Sequence, residues 1–275
     1  MKILGISAFY HDSAACLLVD GRVVAAAQEE RFSRKKHDAG FPRKAIEYCL
    51  AEAGCTMAEI DQVAFHEKPL IKFDRALETF LARAPRNGRM FWRGMGNWFS
   101  EKLRLPERLE AEFDYRGEIL YASHHESHAA SAFYVSPFES SAILTADGVG
   151  EWETNTIAHG KGNSLDLMCN LLFPHSLGLL YSAFTHYLGF RVNWGEYKVM
   201  GLAPYGEPVY REQILEELVD LREDGSFRLY TDHFAFLDSE EMTDGRFESV
   251  FGRARRTPES AVSYTHLTLP TICSV

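Results

Sequence analysis

Two groups of apolar segments, about 140 residues apart in the chain, constrain the fold more than any other feature of the sequence. In the first group MKILGIS, AACLLV and VVAAAQEE follow one another, and Asp20–Gly21 lies between the last two. An Asp-Gly dipeptide between two apolar runs is a strong β-hairpin signal. In the second group, after Pro137, the segments are SSAILTADGVGE, TNTIAHGKGN and LDLMCNLLF. Each group predicts a three-stranded β-meander, and the recurrence indicates an internal duplication.

A duplicated meander predicts an α/β fold of the actin/sugar-kinase type, with two ribonuclease-H-like halves facing each other across a cleft. Each half of such a fold offers a hairpin loop to a nucleotide phosphate. We expect residues 1–140 to form the first half and residues 141–261 to form a second half that is incomplete. Two unrelated α/β layers are the alternative that the pattern leaves open.

Helical and strand periodicities occupy the interval between the two meanders. A helix is expected to begin after Pro42 and to end at Gly54. Its predicted buried face consists of Ala45, Ile46, Cys49 and Leu50. The segments IDQVAFH and GEILYAS predict two further strands, with helical patterns between Leu70 and Leu105, and the second strand leads directly into a histidine-rich helix.

Charge and cysteine usage exclude several classes of protein. The net charge of -10 argues against a protein that binds nucleic acid nonspecifically. No apolar run is long enough to span a bilayer, and the N-terminal segment is predicted to be a strand and not a signal peptide. The five cysteines form no C-x-x-C pair, which is typical of a reducing compartment. These features predict a cytoplasmic protein without membrane or nucleic-acid partners.

The composition changes abruptly at the C-terminal end. From Val262 onward the chain contains no Asp, Glu, Lys, Arg or Gly. Residues 262–271 can be encoded by a nucleotide string that resembles the adapter end of transposase-based library preparation. We therefore expect residues 262–275 to be derived from a sequencing adapter and the natural sequence to end near Ser260, where the reading frame was cut. A threonine-rich terminal strand is the alternative.

A candidate metal site begins in the segment SHHESHAASAFYV. His124 and His128 are four residues apart, so on a helix their side chains share one face, whereas His125 projects elsewhere. Neutral imidazoles at this spacing commonly bind Zn or Fe. Asp147, at the end of the apolar strand in LTADGVG, would add a carboxylate and leave positions open for a substrate oxygen. A capped helix with hydrogen-bonded histidines is the alternative.

Two glycine-containing segments are candidates for anion binding. Gly148 and Gly150 follow a strand, and their N–H groups could face an anion, although a plain hairpin turn has the same pattern. The segment WGEYKVMGLAPYG predicts either a connecting loop or a nucleotide-facing loop in which Lys198 supplies a positive charge.

The loop between the first two predicted strands carries a candidate base. His11 is a side chain that can accept a proton near neutral pH, and Asp12 beside it could equally be a turn residue. The charged run EERFSRKKHDAGFP follows the first meander. Its Arg31, Lys35 or Lys36 could contact an acidic ligand, although most such runs are solvated surfaces.

Six blocks together are similar to a known enzyme family. GISAFYHDSAACLLVDG, AAQEERFSRKKHD, HHESHAASAF, LTADGVGEWETN, GLLYSAFTHYLGF and EYKVMGLAPYG resemble, in order, the O-carbamoyltransferases of nodulation-factor and antibiotic biosynthesis. The resemblance covers the chain from Met1 to about Gly206. The pattern His124, Glu126, His128 also resembles the helix of tRNA threonylcarbamoyl-transfer proteins.

The resemblance implies a reaction in two parts. A downstream domain would form carbamoyl-adenylate from carbamoyl phosphate and ATP, and the actin-like domain would pass the carbamoyl group to a hydroxyl of a small molecule or sugar. It implies iron(II) or another divalent metal on His124, His128 and Asp147, and His11 as the group that accepts the hydroxyl proton. The residues at the matching nucleotide-facing loops are Gly148, Gly150, Glu196, Lys198 and Gly201.

The family's chains continue past residue 260, so a fourth metal ligand and the adenylate-forming domain are expected to be missing from this one. We expect the chain alone to be inactive in the full reaction and poorly soluble, and the full-length protein to form a homodimer. The alternatives are a nucleotide-binding ATPase or sugar kinase and a non-catalytic pseudoenzyme. A metallopeptidase is disfavoured because His125–His128 is one residue shorter than H-E-x-x-H.

Overall fold

A computed structural model describes residues 1–93 and 102–257 of the chain. The chain divides into two compact units. The first combines Met1–Asp74 with Trp92–His128, and the second combines Arg75–Phe91 with the chain from Ala129 onward. The predicted division at residue 140 into two duplicated halves stays a prediction. The adapter-like segment 262–275 lies outside the described residues.

The first unit is built on a five-stranded mixed sheet in the order β3-β2-β1-β4-β5. The strands are β1 (Lys2–Ser7), β2 (Ala14–Val19), β3 (Arg22–Gln28), β4 (Gln62–Phe65) and β5 (Ile119–Tyr121). Strand β2 runs antiparallel to both of its neighbours, whereas β1, β4 and β5 run parallel to one another. Both parallel steps require a crossover, and helices supply it. The predicted α/β class is therefore confirmed.

The turn between β2 and β3 and the helix after Pro42 lie where local sequence signals predict them. Asp20 and Gly21 have φ values of 49° and 78°, as the tight turn between β2 and β3 requires. The helix after Pro42 covers one face of the sheet, and its N-terminus is satisfied by the buried carboxylate of Glu29, which accepts the N–H of Ala45 over 2.8 Å. Its buried residues are Ala45, Ile46, Cys49 and Leu50, as predicted.

The core of the first unit lies between this sheet and its helices. Leu4 and Leu17 face each other across β1 and β2, and Leu4 also pairs with Val63 of β4. All three are fully buried, together with Ile46 of the helix that covers them. The helices of this unit are α1 (Glu30–Ser33), α2 (Arg43–Glu52) and α4 (Leu105–Phe113), together with the first parts of α3 (Pro69–Arg83) and α5 (His124–Phe133).

The second unit begins with the other predicted meander. Strands β6 (Ser140–Ala146), β7 (Glu153–Lys161) and β8 (Ser164–Leu172) form an antiparallel sheet in that order. Gly160 of β7 packs directly on the ring of Phe133, where a Cβ atom would lie 2.7 Å from the ring. Both predicted meanders are present, and the duplication of a whole half stays a prediction.

Helices after the meander enclose a core that contains several aromatic rings. They are α6 (Leu177–Tyr187), α7 (Glu196–Leu202), α8 (Arg211–Glu217) and α9 (Gly245–Phe251), with a small hairpin of β9 (Val219–Leu221) and β10 (Phe227–Leu229). Phe247 is fully buried, with ring centroids 5.3 Å from both Phe184 and Tyr187. Short 3₁₀ turns occur at Met57–Glu59, Lys102–Arg104, Ala203–Tyr205 and Thr231–His233.

One local prediction is wrong. The segment WGEYKVMGLAPYG, predicted to be a loop, forms α7 followed by a 3₁₀ turn. The glycines and the proline that indicated a loop lie at or near the ends of these two helical pieces. Across residues 1–93 and 102–257, no helix combines the length and the apolar character that crossing a bilayer would need.

Candidate functional site

The histidine helix α5 begins two residues after β5, with its first turn capped by its own side chains. The N–H and the hydroxyl of Ser123 both donate to Oε2 of Glu126, over 3.4 and 3.3 Å, so the Glu126 side chain caps the start of the helix. The hydroxyl of Ser127 donates to the backbone carbonyl of His66, at the end of β4, over 3.0 Å. The first turn of α5 is thereby fixed against the sheet, and Glu126 acts as a cap.

His124 and His128 share one face of this helix, as predicted. Their Nε2 atoms lie 3.1 Å apart. Two nitrogens that bind one ion at about 2.1 Å each are separated by about 3.0 to 3.4 Å for coordination angles between 90° and 109°. The donor pair therefore fits a divalent metal, and imidazole nitrogen suits iron or zinc. His125 is 1% exposed, which agrees with the expectation that it projects elsewhere.

A buried ion-pair network lies beside the two histidines. Glu67 is fully buried and accepts from the ammonium groups of Lys72 and Lys102 over 2.7 and 2.8 Å. Burial alone would raise the pKa of Glu67, but the two ammonium groups lower it to about 2. Burial lowers the pKa of His66 to about 4, against the opposing effect of the Glu67 carboxylate, so His66 is neutral at pH 7.

A second possible set of metal ligands overlaps with this ion-pair network. Potential ligand atoms of His66, Glu67 and His124 all lie within 4.8 Å of one another. Both carboxylate oxygens of Glu67, however, are bonded to ammonium groups, which would repel a cation. The arrangement favours an ion-pair network here and leaves His124 and His128 as the better metal-binding pair.

Asp147 lies in the loop between β6 and β7 of the second unit. Its N–H donates to the carbonyl of Thr154 and its own carbonyl accepts from the hydroxyl of Ser176, each over 2.9 Å. At Gly178, a Cβ atom would lie 2.5 Å from the carbonyl oxygen of Asp147. Helix α6 thus approaches the Asp147 peptide as closely as glycine permits. The three-ligand set of His124, His128 and Asp147 stays a prediction.

The two glycines after Asp147 have their N–H groups engaged. Gly148 donates to Oδ1 of Asp147 over 2.7 Å, and Gly150 donates to the carbonyl of Glu153 over 2.8 Å. Both bonds lie within the β6–β7 connection. This geometry favours a hairpin turn at these positions over an anion-binding loop.

Glu196, Lys198 and Gly201 lie on helix α7. The Oε1 atom of Glu196 accepts from the hydroxyl of Ser182 over 3.0 Å and from the N–H of Asn193 over 2.9 Å. Glu196 therefore holds the start of α7 against α6. Lys198 and Gly201 are exposed, and a Cβ atom at Gly201 would meet open space. A nucleotide-binding role for these three residues stays a prediction.

His11 lies in the loop between β1 and β2, as predicted. Its Nδ1 atom lies 2.9 Å from Oδ2 of Asp12, and 47% of its side chain is exposed. Arg31 is largely exposed, with its guanidinium 3.7 Å from Glu30, and Lys36 is exposed. The contacts described for Arg31 and Lys36 do not define an anion-binding site.

Three features of the structure were not predicted from the sequence: the Glu67 network, the contact between α6 and Asp147, and the bond between His37 and Asp12. The sequence signal for the Glu67 network is the polar group HEK directly after strand β4. The signal for the contact between α6 and Asp147 is Ser176 followed by Gly178, a helix cap followed by a residue without a side chain. His37, which bonds to Asp12, was part of a charged run and carried no signal of its own.

Comparisons with known proteins identify the family of the chain. The family model described as carbamoyltransferase N-terminus matches residues 2–266. Uncharacterized protein sll1178 of Synechocystis is 54% identical over 269 residues, which cover 95% of this chain and 44% of that protein. Nodulation protein NolNO of Sinorhizobium fredii is 38% identical over 229 residues, which cover 82% of this chain and 32% of that protein.

Among solved structures, YeaZ from Pseudomonas aeruginosa is 14% identical, with a TM-score of 0.34 and coverage of 63% of this chain and 69% of that one. The chain spans less than half the length of the two curated relatives that it matches.

Proposed function

The chain belongs to the carbamoyltransferase family, and from this premise we propose that it carries the centre at which a carbamoyl group passes to a hydroxyl of a small molecule or sugar. The donor in this proposal is carbamoyl-adenylate, formed from carbamoyl phosphate and ATP elsewhere in the full-length protein. The similarity to a nodulation protein supports a biosynthetic acceptor. The observation that carries the proposal is the pair of imidazole nitrogens 3.1 Å apart on α5.

His124 and His128 would hold iron(II) or another divalent metal, with Asp147 as the proposed third ligand. Such an ion, when bound, supplies Lewis-acid stabilisation of the negative charge that develops on the carbamoyl oxygen. The chain's own contribution is to fix the two imidazoles in place. It does so through the Ser123–Glu126 cap and the bond from Ser127 to the sheet.

His11 supplies the base in this proposal. The attacking hydroxyl must lose its proton as it bonds to the carbamoyl carbon, and an imidazole is suited to accept that proton near neutral pH. The half-exposed position of His11 in the β1–β2 loop permits access by an acceptor from solvent.

Metal binding tests the first part of the proposal. We expect the wild-type chain to bind Fe²⁺ or Zn²⁺ in competition with a chromophoric chelator, and we expect His124→Ala and His128→Ala each to weaken binding by more than about 100-fold. His159→Ala, which removes a histidine from strand β7, is the matched control and should bind like the wild type. Unchanged metal affinity in both α5 variants would contradict the proposed site.

Carbamoyl transfer is tested with the protein encoded by the complete reading frame that contains this chain. The protein is given ATP, [¹⁴C]carbamoyl phosphate and a panel of sugars and amino alcohols, and the acceptors are analysed for label. We expect label to reach a hydroxyl in the wild type and to be lost in His11→Asn and His128→Ala. ATP hydrolysis without carbamoyl phosphate, and without labelled product, would favour an ATPase instead.

A further inference from the structure

Asp12 lies between two imidazoles in the first unit. Nδ1 of His11 is 2.9 Å from Oδ2 of Asp12, and Nδ1 of His37 is 3.0 Å from Oδ1 of the same carboxylate. An ionised carboxylate can only accept hydrogen bonds, so both imidazoles present a protonated Nδ1 to Asp12. Neutral His11 therefore carries its lone pair on Nε2, the nitrogen that can take a proton from a substrate.

The chain segment that contains His37 also fixes the loop that contains His11. The carbonyl of Asp38 accepts the N–H of Ser13 over 2.8 Å, and the carbonyl of Ala39 accepts the N–H of Phe9 over 2.9 Å. The two bonds hold the loop on both sides of His11. The relative position of the two imidazoles is thus set by backbone pairing as well as by Asp12.

The backbone at this place adopts an unusual conformation. Asp12 and His37 have φ values of 50° and 55°, in the left-handed region that side-chain-bearing residues rarely occupy. The N–H of His37 donates to Oε2 of Glu30 over 2.8 Å, and this bond holds His37 in place. Residues kept in this region by several simultaneous bonds are concentrated at functional sites.

We propose that Asp12 is a positioning residue for the base His11 and that His37 holds Asp12 in that role. This inference rests on the proposed function, because it gives His11 its task. In the step concerned, the O–H bond of the acceptor breaks and its proton passes to Nε2 of His11. The hydroxyl oxygen bonds to the carbamoyl carbon, and the leaving group departs with the electron pair of its bond. Asp12 stays ionised and stabilises the imidazolium, which returns its proton to solvent.

Several charged or titratable groups surround His11. Asp12 bonds to it directly, His37 and Glu30 follow behind Asp12, and the ring of Tyr10 lies 4.6 Å from its own ring. The ammonium groups of Lys72 and Lys102 lie beyond Tyr10, 5.4 and 5.8 Å from the centre of that ring. The Asp12 carboxylate is the group in direct contact with Nδ1 of His11, so its removal should change the hydrogen bonding of that nitrogen most.

A cation site is the competing use of the same residues. Potential ligand atoms of Asp12, Glu30 and His37 lie within 4.8 Å of one another. Both oxygens of Asp12 are already bonded to imidazole nitrogens, however, and Oε2 of Glu30 is bonded to the His37 backbone. These carboxylate oxygens already accept hydrogen bonds within the network. This arrangement favours a role in positioning His11 over a role in cation binding.

The test is the variant Asp12→Asn in the protein of the complete reading frame, because Asn also tolerates a left-handed backbone. We expect kcat for carbamoyl transfer to fall about 10²- to 10⁴-fold with KM for the acceptor nearly unchanged. Asp20→Asn, at φ 49° in the β2–β3 turn, is the matched control and should retain the wild-type rate.

Histidine ¹⁵N NMR gives a readout that is independent of activity. We expect His11 in the wild type to be protonated at Nδ1 and to shift toward the Nε2-protonated form in Asp12→Asn. His37→Gln, which keeps a donor for Asp12, should lose far less activity than Asp12→Asn. A wild-type tautomer and a wild-type kcat in Asp12→Asn, alongside an inactive His11→Asn, would overturn this inference and leave the proposed function intact.

Two further outcomes are decisive. If Asp12→Asn shifts the tautomer but His11→Asn transfers carbamoyl groups at the wild-type rate, the proposed role of His11 fails, and this inference fails with it, although the hydrogen bond is real. If added Mg²⁺ or Zn²⁺ moves the His37 resonances in the wild type and not in Asp12→Asn, the cluster is a cation site and the positioning role is wrong.

Discussion

Replacement of Glu67 by glutamine should destabilise the first unit strongly. The carboxylate is fully buried and bonds to two ammonium groups, those of Lys72 and Lys102, at 2.7 and 2.8 Å. Glutamine keeps the shape of the side chain but removes its charge. Both buried ammonium groups then lose the charge of Glu67, and the desolvation of each is less fully compensated.

The magnitude follows from the pKa of Glu67, which lies at about 2 in place of 4.5. At 1.36 kcal/mol for each tenfold change in acidity, the ionised form contributes about 3 kcal/mol to the free energy of unfolding. Because the pKa is lowered by folding, this contribution is fully present above pH 4.5 and is lost as the pH falls toward 2. Removal of one partner from a buried ion pair typically costs about 3 to 5 kcal/mol, which agrees.

Urea unfolding at pH 7, followed by circular dichroism, measures the effect. With a slope of about 1 to 3 kcal/mol per molar urea, Glu67→Gln should lower the midpoint by about 1 M or more. Glu59→Gln is the matched control, because Glu59 pairs with Lys2 at 2.9 Å on the surface, where solvent screens the pair. A midpoint for Glu67→Gln as close to the wild type as that of Glu59→Gln would refute the reasoning. Adding Lys72→Met to Glu67→Gln should recover part of the loss, because it removes one of the two buried cations that lost the charge of Glu67.

Two further predictions concern glycine packing and thiol reactivity. Gly178→Ala should lower the free energy of unfolding by about 1 to 3 kcal/mol, since its Cβ would lie 2.5 Å from the carbonyl oxygen of Asp147. Gly201→Ala, in open space on helix α7, should be neutral or stabilising, and equal urea midpoints for the two variants would contradict the packing argument. Cys49 is fully buried, and burial raises the pKa of its thiol to about 11, so iodoacetamide at pH 8 should modify exposed Cys169 long before Cys49. Peptide mapping by mass spectrometry measures both rates, and comparable rates would show that Cys49 is accessible.

Much of the fold could be predicted because its signals are local. Short apolar segments placed the strands of both meanders, and the Asp20–Gly21 dipeptide placed a turn whose φ values only such residues adopt readily. The helical spacing of apolar residues identified the buried face of α2 without error. The i, i+4 spacing of His124 and His128 fixed their common face, because helix geometry alone determines it.

The segment around Glu196 shows where local signals fail. Its glycines and proline indicated a loop, yet the chain forms helix α7. The Glu196 carboxylate accepts from the hydroxyl of Ser182 and from the N–H of Asn193, and these bonds stabilise the start of the helix. A contact with α6 that no local pattern records therefore outweighs the propensity of the segment.

The sequence by itself determined the α/β class, the order of the strands along the chain and the two histidines that share a helix face. Only the tertiary structure decided which distant groups meet. It brought His37 to Asp12, Lys102 to Glu67 and Gly178 to the Asp147 peptide. Periodicity reports which face of an element is buried, whereas a pairing between elements depends on how they pack, and packing is decided by shape and charge across the whole core.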